Sequence, residues 1–302
     1  MQTGLPASRG TAPTARQAVI SGHASESTKQ DQNGCGVMPD HADPGKLDQS
    51  CRVLFGKRWK APLARFLGVQ RETVSRWAGG AKDTPLYARR AVSLLMQTRG
   101  TVLSLCDRTG NMVRPWAEAG FECICVDLQH EGVRCESGIT FIGADLLNWL
   151  PPPRRYAIVF AFPPCTNVAV SGARWFREKG LGGLSEAVDL LEACRRICEW
   201  SEAPWMIENP VSTFSSYWRE PDHTFDPCDY GGYLTPADDA YTKKTCLWTG
   251  NGFVMPRRKP VDPVEGSRMH LLPPSSDRAN LRSETPMGFA LATFESNAQL
   301  LT

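Results

Sequence analysis

An α/β fold is what this 302-residue sequence predicts: a doubly wound, mostly parallel, Rossmann-like sheet preceded by a small all-α domain. Three observations carry the prediction. From residue 101 onward, short apolar runs alternate with helical stretches, the pattern of strand, crossover helix and parallel strand. Several of these runs end in residues of chemical use (Asp127, Asp145, Pro163-Pro164-Cys165 and Glu208-Asn209-Pro210), as at the carboxyl rim of such a sheet, where ligands bind. A separate, strongly basic segment of helical pattern lies ahead of the first strand.

The first 50 residues are rich in Gly, Ala, Ser, Thr, Gln and Asp and have no sustained period, so they read as a disordered tail. Residues 51–97 follow as the helical domain and 98–302 as the α/β domain. Between Cys51 and Gln97 ten basic residues face two acidic ones, a local net of +8 within a chain whose total is +2. Charge gathered in one short segment is the footprint of a module that binds a polyanion.

Within that segment, Trp59 to Gly79 resembles the helix-turn-helix of phage repressors, with Ala64, Gly68, Val74 and Trp77 at that motif's small, turn and core positions. The resemblance places Gln70, Arg71, Thr73, Ser75 and Arg76 outward on the second helix, the face that meets DNA. A further helix over Leu86–Met96 closes the unit.

Val102–Leu105 reads as a buried strand, Met112–Ala119 as a helix, and Cys123–Val126 as a second strand ending at Asp127. Phe141–Asp145 ends a third unit and Ala157–Phe162 is a fourth strand. Leu184–Glu202 is an amphipathic helix, followed by the strand Trp205–Ile207. With 41% hydrophobic residues the chain can bury one large core and a small accessory one. It shows no apolar run of membrane-spanning length and no signal-peptide pattern behind Met1, which predicts an intracellular, cytoplasmic protein.

The eleven cysteines have no framework spacing and form no CxxC pair, which predicts free thiols and no metal site. Cys165 is distinguished by position: it follows an apolar strand and two prolines, at the mouth of a strand-to-loop turn where a thiol reaches solvent.

Taken in order, the Pro-Pro-Cys loop and the Glu-Asn-Pro segment 43 residues beyond Cys165 resemble a cytosine-C5 DNA methyltransferase of the short phage type. The resemblance runs from Val102 to about Leu247, and it implies S-adenosylmethionine as cofactor and DNA as partner. Leu105, Cys106, Asp107, Gly110 and Asn111 take the place of the family's first, glycine-rich loop, whose backbone amides lie against the methionine part of the cofactor. Asp127 would bind the ribose hydroxyls, Asp145 would accept from the adenine amino group, and Pro163 would border the same pocket. Arg108 stands where the family has a glycine.

The resemblance also implies roles. Cys165 would add as a thiolate to carbon 6 of cytosine and make carbon 5 nucleophilic. Glu208 would stabilise the charge that develops at ring nitrogen 3 and grip the exocyclic amine. Pro164 and Thr166 would shape the nucleophile loop and Asn209 would fix the acid's segment, while Tyr241–Thr245 takes the place of the family's Gln/Arg-rich strand, where Lys243 and Lys244, replacing arginines, would contact substrate and phosphates.

Because a base inside a duplex must be flipped out for this chemistry, residues 166–183 are expected to be a flexible closing loop, with Trp175 and Phe176 as wedges and Arg174, Arg177 and Lys179 for phosphates. Arg282–Ala290 resembles a closing motif near the cofactor. The interval after Lys244 is too short for a separate target-recognition region, so the helix-turn-helix would supply DNA affinity. Two other classes fit many of these residues: a transcriptional regulator with a degenerate α/β domain, and C5 modification of another pyrimidine or with a modified, more anionic donor.

Overall fold

The computed structural model describes residues 43–299 apart from Leu272, Pro274 and Ser276. Residues 1–42 of the expected tail lie outside the described residues. The expected boundary at residue 50 is displaced, because helix α1 (Pro44–Phe55) begins within the tail. Its start is well marked: the Asp43 carboxylate accepts from Gly45 N at 2.8 Å and Pro44 occupies the first turn. Leu47, Ser50, Cys51 and Val53 bury its inner face.

Helices α2 (Lys60–Leu67), α3 (Arg71–Ala78) and α4 (Leu86–Gln97) complete the helical unit. Gly68 adopts φ 67° between α2 and α3, a left-handed turn that an L side chain resists, and its N–H closes on Ala64 O and Arg65 O. Leu47, Trp59, Leu63, Ala64, Val74, Trp77, Ala88 and Val92 form one buried cluster. The unit is not a detached module. Val53 and Met96 belong to the core of the α/β domain, Ser50 Oγ donates to Ala119 O at 2.7 Å, and Arg99 Nη2 donates to Leu54 O at 3.1 Å.

The α/β domain is built on an eight-stranded sheet: β1 (Thr101–Leu105), β2 (Cys123–Asp127), β3 (Val133–Glu136), β4 (Ile139–Gly143), β5 (Tyr156–Ala161), β6 (Trp205–Pro210), β7 (His223–Phe225) and β8 (Thr245–Gly250). Their order is β3-β4-β2-β1-β5-β6-β8-β7. The five strands β4, β2, β1, β5 and β6 are mutually parallel, and β3, β8 and β7 join antiparallel at the edges. The order reverses between β1 and β5, which opens a crevice at their carboxyl ends.

Side-chain alternation explains why both faces are covered. Val102, Cys123, Cys125, Ile158 and Phe160 turn to one face, where they meet α5 (Arg114–Glu118) and α10 (Met287–Asn297) through Trp116, Phe289 and Phe294. Leu103, Leu105, Ile124, Val126, Val159 and Ala161 turn to the other face, under Ala187, Leu191, Cys194 and Cys198 of α6 (Phe176–Trp200). Runs apolar on both faces are the mark of a strand buried between helices. Short helices α7 (Phe214–Tyr217), α8 (Arg268–Leu271) and α9 (Arg278–Ser283) complete the fold.

Three expectations change. Residues 166–183 are not a flexible loop: a 3-10 turn spans Val170–Trp175 and α6 already begins at Phe176, kinked at Gly180 (φ 62°, ψ −165°). Tyr241–Lys244 is not a strand but the approach to β8. Among the cysteines, Cys135 on the exposed edge strand β3 is disulfide-bonded, against the expectation that the thiols are free. No helix among the described residues is long and apolar enough to cross a membrane.

Candidate active site

β5 and β6 run side by side with Ala161 opposite Ile207, so the residues that follow each strand pair emerge on one rim. Phe162, Pro163, Pro164 and Cys165 leave β5 there. Glu208, Asn209 and Pro210 lie on the last residues of β6, paired to β8 through Glu208 opposite Leu247 and Asn209 opposite Cys246. Glu208 thus stands on a strand held from both sides.

One hydrogen bond locks the two segments. Asn209, 1% exposed, donates from Nδ2 to Pro163 O at 2.8 Å. Past Pro164 the chain turns at once: Val168 N and Ala169 N both donate to Cys165 O, at 3.0 and 2.8 Å. Val170 N to Val211 O and Thr213 N to Val168 O then tie this turn to the chain beyond β6. The Lys179 ammonium holds the Thr166 carbonyl. Two prolines limit the approach to Cys165 and six hydrogen bonds fix its surroundings, so the thiol is presented on a rigid turn.

Glu208 lines a narrow cleft with Phe162, Phe225, Lys243, Glu284, Thr285 and Phe289. Burial pushes its carboxyl group above the ordinary range, and the Lys243 ammonium pulls it back. Burial also raises the Cys165 thiol, as does the nearby Glu208 charge, while Lys243 and Arg282 lower it. Glu208, Lys243 and Arg282 are therefore each in electrostatic range of Cys165, and Lys243 also of Glu208. Glu208 in its neutral form can donate a proton or hydrogen bond, and two cations favour the thiolate.

Lys243 and Lys244 separate: Lys243 is half-buried beside Glu208, and Lys244 is exposed, acting on Cys246 instead. Pro164 and Thr166 are exposed at the mouth. Sequence reasoning placed Arg282–Ala290 near the cofactor. The fold brings Arg282 within electrostatic range of Cys165, and Glu284, Thr285 and Phe289 into the cleft that Glu208 lines. Phe225 had no motif to reveal it, since it reaches the cleft from the edge strand β7.

At the carboxyl end of β1, Leu105 is buried and Cys106 adopts φ 53°, a left-handed conformation costing a non-glycine residue roughly 1–2 kcal/mol. Its Sγ lies 4.0 Å from Cys194 Sγ. Asp107 is 4% exposed and turned inward, its carboxylate accepting from Ser104 Oγ at 2.7 Å and from Gly110 N at 2.8 Å. Gly110 is buried at φ 69°, where a Cβ would stand 3.0 Å from the Phe141 ring. Asn111 is half-buried and its Oδ1 accepts from Arg114 Nη2 at 3.4 Å.

Asp127 ends β2 next to this loop; burial raises its carboxyl, and Gln129 N donates to it at 2.7 Å. Asp145, beyond β4, caps its own turn by accepting from Leu147 N at 3.0 Å and Asn148 Nδ2 at 2.9 Å. All of these residues share the rim that carries Cys165.

Among the described residues, no group of three or more His, Cys, Asp or Glu side chains is placed to hold a metal ion. On the helical unit, Gln70, Arg71 and Arg76 are exposed and Thr73 and Ser75 half-buried, all on or just before α3. Compared with known proteins, the chain matches no family model and no curated protein sequence.

Proposed function

We propose that this chain is a DNA cytosine-C5 methyltransferase of the Rossmann-like class, carrying an amino-terminal helix-turn-helix formed by α2 and α3. The observation that carries the reading is the approach of the segments bearing Cys165 and Glu208, fastened by the Asn209 to Pro163 hydrogen bond, with the Glu208 charge acting on the Cys165 thiol.

The reaction needs a sulfur nucleophile on one face of a flipped pyrimidine and an acid at its ring edge. Cys165 adds to carbon 6, and Lys243 and Arg282 favour its thiolate form. Glu208, held toward its protonated form by burial, donates to ring nitrogen 3 as charge moves there and accepts from the exocyclic amine. Loss of the carbon 5 proton and expulsion of the Cys165 thiolate then restore the ring's double bond and free the enzyme.

S-adenosylmethionine, when bound, supplies the electrophilic methyl group. The chain's fit to it is mixed. Asp127, at the end of the strand beside β1, has the place and the acceptor capacity to take ribose hydroxyls. The loop after β1 closes on its own Asp107 carboxylate, so its amides face inward. DNA is the expected polymer, because α3 presents Gln70, Arg71 and Arg76 on an exposed face of a segment with net charge +8.

The test is the nucleoside mass profile of DNA from cells expressing the wild type or Cys165→Ala. A new cytosine mass dependent on Cys165 is expected. Identical profiles for wild type, variant and empty cells would defeat the reading.

A further inference from the structure

The loop after β1 engages its own backbone donors. Thr109 N and Gly110 N both donate to Asp107 Oδ1, at 3.1 and 2.8 Å, and Asn111 N donates to Thr109 Oγ1 at 3.3 Å. Three successive amides of the kind that cradle an anion are thus turned inward. On the same loop, Arg108 keeps its Nε buried without a hydrogen-bond partner among the described residues. Its Nη2 stands 3.9 Å from Asp277 Oδ1, an ion-pair distance too long for a hydrogen bond. Arg108 follows closely on the carboxyl end of β1, at the point where the strand order reverses, and its positive charge also acts on Asp127 at the end of β2. A guanidinium has five donors in a planar fork that matches a carboxylate with two parallel bonds.

We propose that Arg108 is the anion-binding residue of the donor pocket, taking a carboxylate of the sulfonium donor through Nε and a terminal nitrogen in place of the loop amides. This rests on the alkyl-transfer reading above. Two positions on such a donor supply the same chemistry: the amino-acid carboxylate, or an additional carboxylate on the carbon that is transferred. In the second case carbon 5 of cytosine would attack that methylene, the carbon–sulfur bond would break with its electron pair going to sulfur, and the carbon 5 proton would leave, giving a carboxymethylated base.

The full chain, as wild type, Arg108→Gln and Arg108→Lys, is titrated calorimetrically with three probes: S-adenosylmethionine, its decarboxylated analogue, and the analogue carboxylated on the methyl group. If the amino-acid carboxylate is the partner, Arg108→Gln weakens S-adenosylmethionine by about 10-fold or more and leaves the decarboxylated analogue unchanged. If the additional carboxylate is the partner, the wild type prefers the carboxylated donor by about 10-fold or more and Arg108→Gln abolishes that preference. In either case Arg108→Lys retains part of the effect, as a point charge without the fork. Equal weakening of all three probes by Arg108→Gln, or no weakening, overturns the inference while leaving alkyl transfer standing. Failure of the wild type to bind any of the three removes the donor reading itself, and this inference with it.

Discussion

Asn209 donates from Nδ2 to the carbonyl oxygen of Pro163 at 2.8 Å, and through that bond the carboxyl ends of β5 and β6 become one rigid piece. The acid and the thiol are therefore positioned by a buried amide that touches neither reacting atom. Asn209→Ala leaves Pro163 O without its donor in a buried place, and should cost about 1–3 kcal/mol of stability. It should also lower turnover more than substrate affinity, because the loop carrying Cys165 loses its anchor. Denaturant unfolding and steady-state kinetics measure the two, and full activity in a destabilised variant would deny Asn209 a positioning role.

Glu208 provides a pH signature. Its carboxyl is raised in the folded chain, so folding favours the protonated form: stability is highest below the ordinary glutamate range and is lost as pH rises through the raised value. Glu208→Gln removes the charge and keeps the shape. The variant should melt close to the wild type in acid and above it at pH 8, while activity disappears. A stability gap that does not widen with pH would mean that Glu208 is not held neutral by burial.

The thiol at Cys165 is under opposed influences that can be removed one at a time. Burial and Glu208 raise it, and Lys243 and Arg282 lower it. Alkylation by iodoacetamide, followed against pH, should shift to higher pH in Lys243→Gln and to lower pH in Glu208→Gln. Shifts of the same sign in both variants would contradict the arrangement.

In the proposed reaction, release of Cys165 requires loss of the carbon 5 proton. DNA carrying 5-fluorocytosine, which has no such proton, should trap the wild type as a denaturant-resistant protein–DNA adduct. Mass spectrometry should find the linkage on Cys165, and Cys165→Ala should form no adduct, with activity falling by on the order of 10³-fold or more.

On α3, Arg71 and Arg76 are exposed while Val74 and Trp77 are buried. The double substitution Arg71→Ala/Arg76→Ala should leave folding intact and weaken DNA binding. The slope of log affinity against log salt should fall by about 0.9 for each phosphate that the variant no longer neutralises, measured by fluorescence anisotropy. Point variants are the right probe here, since deleting residues 43–97 would strip Val53 and Met96 from the α/β core. An unchanged slope would take DNA away from this face.

Much was legible in the sequence because local chemistry is strong where the fold is regular. β1, β2, β5 and β6 announce themselves through apolar runs and turn residues, which depend on neighbours along the chain, and α2 and α3 through the resemblance of Trp59–Gly79 to a known helix pair. The Pro-Pro-Cys and Glu-Asn-Pro segments were visible for the same reason. What local pattern could not give was the start of α6 inside a stretch with four glycines, where packing outweighs propensity. Nor could it give β3, an exposed edge strand without an apolar run.

By itself, then, the sequence determined the α/β class and the basic helical segment, and it singled out Cys165 and Glu208, on which the proposed chemistry would turn. Tertiary structure alone decided that Lys243 and Arg282 act electrostatically on that thiol, that Lys244 is exposed and acts on Cys246, that the helical unit is fused to the sheet, and that the loop amides close on Asp107 while Arg108 keeps a long ion pair to Asp277. The physical reason is that charge, burial and hydrogen-bond satisfaction act through space. Residues 117 positions apart, such as Cys165 and Arg282, acquire their relation when the chain closes on itself.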